Sequence, residues 1–464
     1  MENYQVPERS GISRFFHWLG NDLKDIGGTF VRGDWRTKLS YIIMGFGQLL
    51  RGQYVRGLAL LALQTLCNYF IFGFGWTYLK NILTLGTVAT QKVNRVTVFG
   101  DNSFLILLYG LLTVIVILAL LYLWRLNLRQ NKEAEGILAE GRRLPTNRSD
   151  LHSLLDKNFD KTLLALPVLG IFVFTVLPII FMICIAFTNY DANHQPPANL
   201  FTWVGLQNFK ELFGIGGTGF GGTFFYVLGW TLTWAFFATF LTYFLGMAVA
   251  ILINKKGIKL KKLWRTILVM TIAVPQFVSL LYVGKMFATD GLVNGYLLKW
   301  GWIQSAIPFW DNATYARILI IVINLWIGIP YTMLIVTGLL MNIPAELYES
   351  ARIDGAKPFQ TFWYITLPYM LFVTGPFLLT QFIGNLNNFN VIFLLNRGRP
   401  QSMSLSNNAG ATDLLVTWLY KMTINDSNYR IAAVIGIMVF VVTAVISLIV
   451  YNAIPSVRDE EGFQ

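Results

Sequence analysis

The segment PAELYESARIDGAKPFQTFWYITLP, residues 344–368, is charged and amphipathic, whereas the long apolar segments on either side of it are almost uncharged. Such a segment between two hydrophobic runs is expected to be a structured loop at a membrane face. Pro344 suits the first turn of a helix, Gly355 a helix end, and Pro358 the start of a second helix running into Pro368. We therefore predict two short helices joined by a tight turn, and we expect the segment to dock a partner.

The composition of the chain is that of a membrane protein. Of its 464 residues, 55% are hydrophobic and only 13% are charged, whereas soluble domains carry roughly 25% charged residues. The mean hydropathy is +0.54. The apolar runs exceed the length of a transmembrane β-strand and do not alternate with period two, so they predict helical spans. The fold class is predicted to be an all-α polytopic membrane protein.

Eight apolar segments are each long enough to cross a bilayer as a helix. They are Gly57–Tyr78, Ser103–Trp124, Leu163–Phe187, Phe224–Ile253, Thr266–Phe287, Ala316–Leu340, Leu367–Leu395 and Ile431–Tyr451. The shorter segment Tyr41–Leu50 is predicted to be re-entrant or interfacial, and Ile12–Leu23 to form an interfacial helix. Residues 1–150 then hold a cytosolic N-terminal segment, two accessory spans and a basic loop. Residues 151–464 form a core of six spans with the loop 344–368.

The placement of lysine and arginine predicts the orientation of the chain. These residues are concentrated in residues 125–161 and 255–265, the loops after the second and fourth spans. Because basic loops stay on the cytosolic side, both termini and the loop 344–368 are predicted to be cytosolic. The external loops are then 190–223, 288–315 and 396–430. The same placement accounts for the net charge of +12 without nucleic-acid binding.

Several kinds of chemistry have no support in the sequence. Gly214–Gly222 is rich in glycine, but the Gly-Lys-Ser/Thr of a phosphate-binding loop does not follow, so we expect a flexible external loop and no ATP site on this chain. The cysteines and histidines lack disulfide or metal-ligand spacing; they are Cys67, Cys184, His17, His152 and His194. We expect no metal or cofactor on this chain. An ion-driven secondary transporter would need acidic relays within the spans, and an enzyme would need a catalytic constellation, and neither pattern is evident.

The charged loop resembles the EAA loop of permease subunits in binding-protein-dependent ABC importers. The family pattern is EAA, three residues, G, nine residues, I, one residue, and LP. The matching residues are Glu349, Ser350, Ala351, Gly355, Ile365, Leu367 and Pro368. Ser350, which replaces an alanine, is the single departure. The resemblance implies that this loop couples the permease to an ATPase subunit.

Other segments are similar to those of the MalF-type maltose/maltodextrin permeases in the same family. They are Trp203–Phe209, Trp326–Tyr331, Asn385–Phe389 and Ala409–Leu415. Some members carry a large external domain after the third span, and residues 190–223 are too short for one. The resemblance implies a type I ABC importer fold and a bacterial plasma-membrane location.

The seventh span carries an unusual number of amides, and Gln381, Asn385 and Asn388 are predicted to share one helix face. Amides suit a neutral polyol, and Phe382 or Phe389 could stack on a sugar ring. Hydrogen bonding between helices would explain the amides equally well. The family resemblance favours a sugar site, and its residues are Gly328, Tyr331, Gln381, Gly384, Asn385 and Asn388. Gln381 and Gly384 depart from the family pattern.

The resemblance also implies the partners of this chain. They are a second permease subunit, two cytosolic ATPase subunits that bind ATP and Mg, and an extracellular sugar-binding protein. The predicted function is transport of maltose or maltodextrin by this complex. The alternatives are a permease for a different sugar and an ion-coupled secondary transporter.

Overall fold

The computed structural model describes residues 11–93, 96–214, 220–255 and 257–454. The chain divides into two compact units. The first unit consists of residues 1–184 with 194–203, and the second of 185–193 with 204–464. The division after residue 150, which separates accessory from core segments, stays a prediction.

The first unit is built from seven helices and one small sheet among its described residues. In chain order the helices are α1 Gly11–Arg32, α2 Trp35–Leu39, α3 Phe46–Leu50, α4 Tyr54–Leu79, α5 Ser103–Ala139, α6 Asn147–Leu155 and α7 Phe159–Ile185, whose last residue belongs to the second unit. Between α4 and α5, β1 Gln91–Val93 pairs with β2 Val96–Val98 in an antiparallel sheet.

The described part of the second unit is helical. Its helices are α8 Gln207–Leu212, α9 Phe220–Asn254, α10 Lys261–Ala273, α11 Gln276–Met286, α12 Leu292–Lys299, α13 Ala313–Leu340, α14 Ala345–Ile353, α15 Pro358–Leu386, α16 Phe389–Leu395, α17 Leu415–Ile424 and α18 Tyr429–Ala453.

Seven helices in the described ranges are long and apolar enough to cross a membrane, and they are α4, α5, α7, α9, α13, α15 and α18. The pair α10 and α11 brings the number to eight if it forms one broken span. The prediction of an all-α polytopic membrane protein is therefore confirmed. The orientation of the termini stays a prediction.

The predicted span Thr266–Phe287 is not one continuous helix. The structure breaks this segment into α10 and α11, which are bent by 88°. Pro275 lies at the break, where it lacks an amide hydrogen and disfavours helical backbone at the preceding residue. Val274 is accordingly extended, with φ −80° and ψ 126°.

The seventh predicted span also differs from the structure. α15 starts at Pro358 and ends at Leu386, so the second helix of the charged loop is not short but continues into the membrane span. Asn387 and Asn388 separate α15 from α16, and the Asn388 side chain caps α16 by accepting from the Val391 amide at 3.3 Å. The amides predicted to share one helix face therefore lie on both sides of a helix end.

α15 passes through Pro368 because the helix widens just before it. A π turn at Phe362–Thr366 directly precedes Leu367-Pro368, and α7 repeats the arrangement with a π turn at Phe172–Val176 before Leu177-Pro178. A proline ring clashes with the carbonyl four residues earlier and cannot donate to it. The wider turn accommodates this loss, so the helix continues.

In the first unit, α1 and α3 pack against the polar end of α5. Arg125 lies 2.7 Å from carboxylate oxygens of both Asp22 and Asp25, and its hydrogen bond lowers the pKa of Asp22. The Gly45 amide donates to Asn127 Oδ1 at 3.0 Å. α3 has five residues and is too short to span a bilayer. α1 covers the predicted interfacial helix Ile12–Leu23 and extends beyond it to Arg32.

In the second unit, α9 and α13 approach closely through reciprocal pairs of threonine and glycine. A Cβ added to Gly328 would lie 2.7 Å from Thr242 Cγ2, and one added to Gly246 would lie 2.7 Å from Thr332 Cβ. Small residues at a crossing allow helix backbones to pack closely in a membrane. This contact fixes one wall of the cavity that holds most of the predicted site residues.

Candidate functional site

A cavity of about 420 Å³ lies in the second unit where two broken helices face each other. Its walls come from the bend between α10 and α11, the middle of α13, the end of α15, the start of α16, and the π turn of α9 at Phe237–Leu241. Its polar lining side chains are Thr242, Thr271, Gln276, Ser279, Asn324, Trp326, Tyr331, Thr332, Gln381, Asn385 and Asn388.

The structure brings together five of the six residues of the predicted sugar site. Gly328, Tyr331, Gln381, Asn385 and Asn388 all line this cavity. The sixth residue is not part of the lining. Gly384 is exposed, and a Cβ added there would meet nothing within 4 Å.

Asn385 and Asn388 also have structural roles. Asn385 Nδ2 donates to Thr239 Oγ1 at 3.0 Å, which joins α15 to the π turn of α9. Asn388 Nδ2 donates to Asn385 Oδ1 at 3.4 Å. The Asn385 carbonyl accepts from Trp234 Nε1 at 3.1 Å. Interhelical bonding, one of the two explanations considered for the amides, therefore applies to these two asparagines.

Other polar groups of the cavity have hydrogen-bonding capacity to spare. Within the described part of the chain, the side chains of Gln276, Asn324 and Gln381 make no hydrogen bond. The Thr242 hydroxyl is buried and has no partner among the described residues. Asn324 is also buried, whereas Gln381 is half-buried and Gln276 is exposed. Since buried polar groups are normally paired, the unpaired Asn324 and Thr242 side chains favour a ligand that both donates and accepts hydrogen bonds.

The cavity lining is electrically neutral. No lysine, arginine, aspartate or glutamate lines it. Two aromatic side chains, Trp326 and Tyr331, line it and are each about half exposed. The rings named from the sequence lie elsewhere, since Phe389 stacks on Phe393 at 4.7 Å and Phe382 lies 6.5 Å from the Phe240 ring. Neutral polar groups with flat aromatic faces suit an uncharged polyhydroxylated ligand.

Sequence reasoning missed the part of the lining that comes from the bend. Gln276 and Ser279 follow Pro275, and a proline inside an apolar run was the available signal for a broken helix at a binding site. Asn324, a lone amide within a predicted span, was a second signal. The sequence could not identify Thr242 as a site residue, because threonine is common in membrane-spanning helices.

The EAA-like loop forms an exposed helix followed by a tight turn. Glu349 and Ser350 on α14 are exposed, whereas Ala351 is half-buried. Gly355 lies in the turn after α14 with φ +75°, a conformation that favours glycine. Ile365 is half-buried, Leu367 is buried, and Pro368 is exposed at the start of the membrane span.

The loop is attached to the span that follows it. The Tyr348 hydroxyl lies 3.0 Å from Thr366 Oγ1, which joins α14 to the π turn of α15. On the outer face of the loop, Ile353 is 87% exposed and Phe359 is 71% exposed. A firmly attached helix with exposed apolar residues can both bind another protein and pass its movement to α15.

A third feature of the second unit is the segment Ala409–Leu415, held by a buried ion pair. Lys421 Nζ lies 2.6 Å from Asp413 Oδ2, and these two side chains are 7% and 0% exposed. Asp413 also accepts from the Gly410 amide at 2.7 Å and from Thr417 Oγ1 at 2.9 Å. These contacts join the segment to α17, which carries Thr417 and Lys421.

Residues 243–459 match the model of a protein family described as "Binding-protein-dependent transport system inner membrane component". The matched range includes the cavity residues on α11, α13 and α15 and the whole EAA-like loop.

Similar proteins of known function extend the match to nearly the whole chain. The galactooligosaccharides transport system permease protein GanP of Bacillus subtilis is 36% identical over 426 residues, which cover 90% of this chain and 97% of that protein. The maltodextrin transport system permease protein MdxF of the same organism is 34% identical, covering 93% of this chain and 98% of that protein.

A solved structure supports the fold. A chain of a bacterial ABC transporter involved in the import of the acidic polysaccharide alginate aligns with a TM-score of 0.54 at 23% identity, covering 67% of this chain and 99% of that chain.

Proposed function

This chain belongs to the family of binding-protein-dependent transport system inner membrane components, and on that premise we propose that it is the permease subunit that carries a neutral oligosaccharide of the maltodextrin class. Its relatives GanP and MdxF are permease proteins of oligosaccharide transport systems. The observation that carries the proposal is the uncharged cavity, in which Gln276, Asn324 and Gln381 have unused hydrogen-bonding groups.

The uncharged lining of the cavity favours a neutral sugar over an acidic one. An acidic oligosaccharide brings a negative charge to every unit, and a charge without a partner is costly to bury. No basic side chain lines the cavity to pair with it. The hydroxyl groups of a neutral sugar match the free amides, and Trp326 or Tyr331 offers a flat face to the sugar ring.

A galactooligosaccharide is the second candidate substrate, because the permease GanP is as similar to this chain as the maltodextrin permease MdxF. Maltodextrin is proposed first because Gly328, Tyr331, Asn385 and Asn388 agree with the pattern of the maltose permeases. Both sugars are neutral and fit the same chemistry.

The energy source is proposed to be ATP hydrolysis on a separate subunit. Two ATPase chains would bind ATP and Mg, and each would hold one EAA loop, one on this chain and one on a second permease subunit. An extracellular binding protein would deliver the sugar. This arrangement places the loop 344–368 and both termini in the cytosol, as the loop charges predict.

α15 connects the two sites mechanically. This helix starts within the EAA-like loop and ends at Asn385 and Leu386 beside the cavity, so its 29 residues are about 43 Å long. Movement of α14, bonded to α15 through Tyr348 and Thr366, shifts the helix end that carries Gln381 and Asn385. ATP binding closes the ATPase subunits and favours one of two conformers, which open the cavity to opposite sides of the membrane.

Uptake by cells that express the complete transporter tests the substrate class. The uptake of radiolabelled maltotriose is measured in the presence of unlabelled competitors that are four sugar units long. We expect maltotetraose to compete, and an oligoalginate of the same length to leave uptake unchanged. Stronger competition by a galactooligosaccharide would assign the second candidate, and competition by the alginate oligomer would contradict a neutral substrate.

A further inference from the structure

The first unit contains a cavity with a strongly basic lining. Its volume is about 420 Å³, and three arginines line it, Arg51, Arg142 and Arg143, together with Thr146 and Asn147 at the start of α6. No acidic side chain is part of this lining. A neighbouring cavity of about 500 Å³ shares Thr146 and is lined by Arg148 and Lys157 together with the acidic Asp156.

Specific contacts build this cavity. Asn147 Oδ1 accepts from the Val55 amide at 3.2 Å, and Asn147 Nδ2 donates to the Gly52 carbonyl at 3.1 Å. These bonds hold the segment after α5 against the start of α4. Arg51 is fixed by ion pairs, with its NH2 2.8 Å from Asp34 and 3.2 Å from Glu135.

The three arginines differ in whether their side chains are already paired with a carboxylate of the protein. The Arg51 side chain is 1% exposed, yet its Nε has no hydrogen-bond partner among the described residues. Arg142 is paired with Glu140. Arg143 makes no ion pair or hydrogen bond within the described ranges. Of these three arginines, Arg143 is therefore the one whose charge is not paired by any described residue.

An apolar groove on α4 begins at Leu58, six residues after Gly52 of this cavity. It is lined by Leu58, Leu61, Ala62, Thr65, Leu66 and Tyr69, which recur at intervals of three and four and so share one face of the helix. Ala62 and Thr65 are short side chains between the longer Leu58 and Tyr69. At 1.5 Å per residue the groove is about 16 Å long, and one leaflet of the hydrocarbon core is about 15 Å thick.

We propose that these two features form one binding site for an anionic phospholipid, with the phosphate in the arginine cavity and an acyl chain in the groove of α4. Arginine is the side chain best suited to phosphate, which it binds through paired hydrogen bonds. The cavity lies at the end of a membrane span, which is the depth of the lipid headgroups. A free phosphate would use the arginines but not the groove. This inference does not rest on the transported sugar.

A simpler explanation is that the basic residues only fix the orientation of the chain. In that case every lysine or arginine on this side would contribute alike. The site instead requires Arg142 and Arg143, two of the three arginines that line the cavity, so matched pairs of substitutions separate the explanations.

The test measures lipid retention by the purified full-length chain with native mass spectrometry. The probes are dioleoyl phosphatidylglycerol and dioleoyl phosphatidylcholine, added at a series of concentrations. We expect the unmodified chain to bind the phosphatidylglycerol at least ten-fold more tightly. The variant Arg142→Gln/Arg143→Gln is expected to lose this preference. The control Lys24→Gln/Lys161→Gln, which removes the same charge from residues outside the cavity, is expected to keep it.

A second pair of variants tests the groove. Ala62→Phe fills it and is expected to weaken phosphatidylglycerol binding several-fold, whereas Ala59→Phe, at an exposed residue of α4 outside the groove, is not. An unchanged lipid preference in the arginine variant, or an equal loss in the lysine control, would overturn the proposal. Displacement of the lipid by inorganic phosphate at similar concentrations would show a site for free anions instead.

Discussion

At the scale of single residues, the amides around the cavity divide into two groups. Asn385 and Asn388 are bonded to Thr239, to each other and to the end of a helix. Gln381 lines the same cavity but makes no hydrogen bond within the described residues. A substitution of either asparagine therefore alters helix packing as well as the cavity. Gln381 is the position at which the effect on a ligand can be measured separately.

We expect Gln381→Leu to raise the sugar concentration needed for half-maximal uptake about ten-fold, which corresponds to the loss of roughly one hydrogen bond to a ligand. The side chain is half-buried and unbonded, so folding and assembly should be unaffected. The control is Asn390→Leu, which removes an amide from an exposed position on α16 outside the cavity. Equal uptake kinetics for both variants would contradict a hydrogen bond between Gln381 and the sugar.

At the scale of elements, the ends and interruptions of helices carry the proposed site. The bend at Pro275, the gap at Asn387 and Asn388, and the π turn of α9 all border the cavity. The lengths of the apolar runs predicted the spans well, because hydrophobic length is a property of the local sequence. These interruptions were not predicted, because a proline or asparagine inside a span ends the helix in one context and is tolerated in another. Pro275 breaks its span, whereas α15 continues through Pro368.

The turn after α14 gives a test at this scale. Gly355 has φ +75°, and proline is restricted to φ near −65°, so Gly355→Pro must rearrange the turn. We expect sugar uptake to fall at least ten-fold, while the chain still inserts in the membrane and copurifies with the second permease. The measurements are uptake and the amount of ATPase subunit retained on purification.

The control for the turn is Gly338→Ala. Gly338 lies within α13, and a Cβ added there would meet nothing within 4 Å. Unimpaired uptake in Gly355→Pro would contradict the role of the loop in coupling.

At the scale of the whole molecule, the fold class and the family were predictable, while the geometry of the site was predictable only in part. The EAA-like spacing from Glu349 to Pro368 identified the family because it is a pattern of fixed positions. Five of the predicted sugar-site residues line one cavity, but Gly384, an exposed residue of α15, does not. The neutral lining, which favours an uncharged sugar, comes from residues on five helices and could not be assembled from the sequence.

ATP hydrolysis by a partner is proposed to be coupled through the loop 344–368 and α15 to a neutral sugar in the cavity. The direct measurement is ATP hydrolysis by the complete transporter in proteoliposomes, with its binding protein, with and without maltotriose. We expect hydrolysis to rise several-fold with maltotriose, and the rise to be lost in Gly355→Pro. Two results would contradict this coupling. One is a rate of ATP hydrolysis that maltotriose does not change, and the other is sugar uptake that continues without ATP and stops with an ionophore.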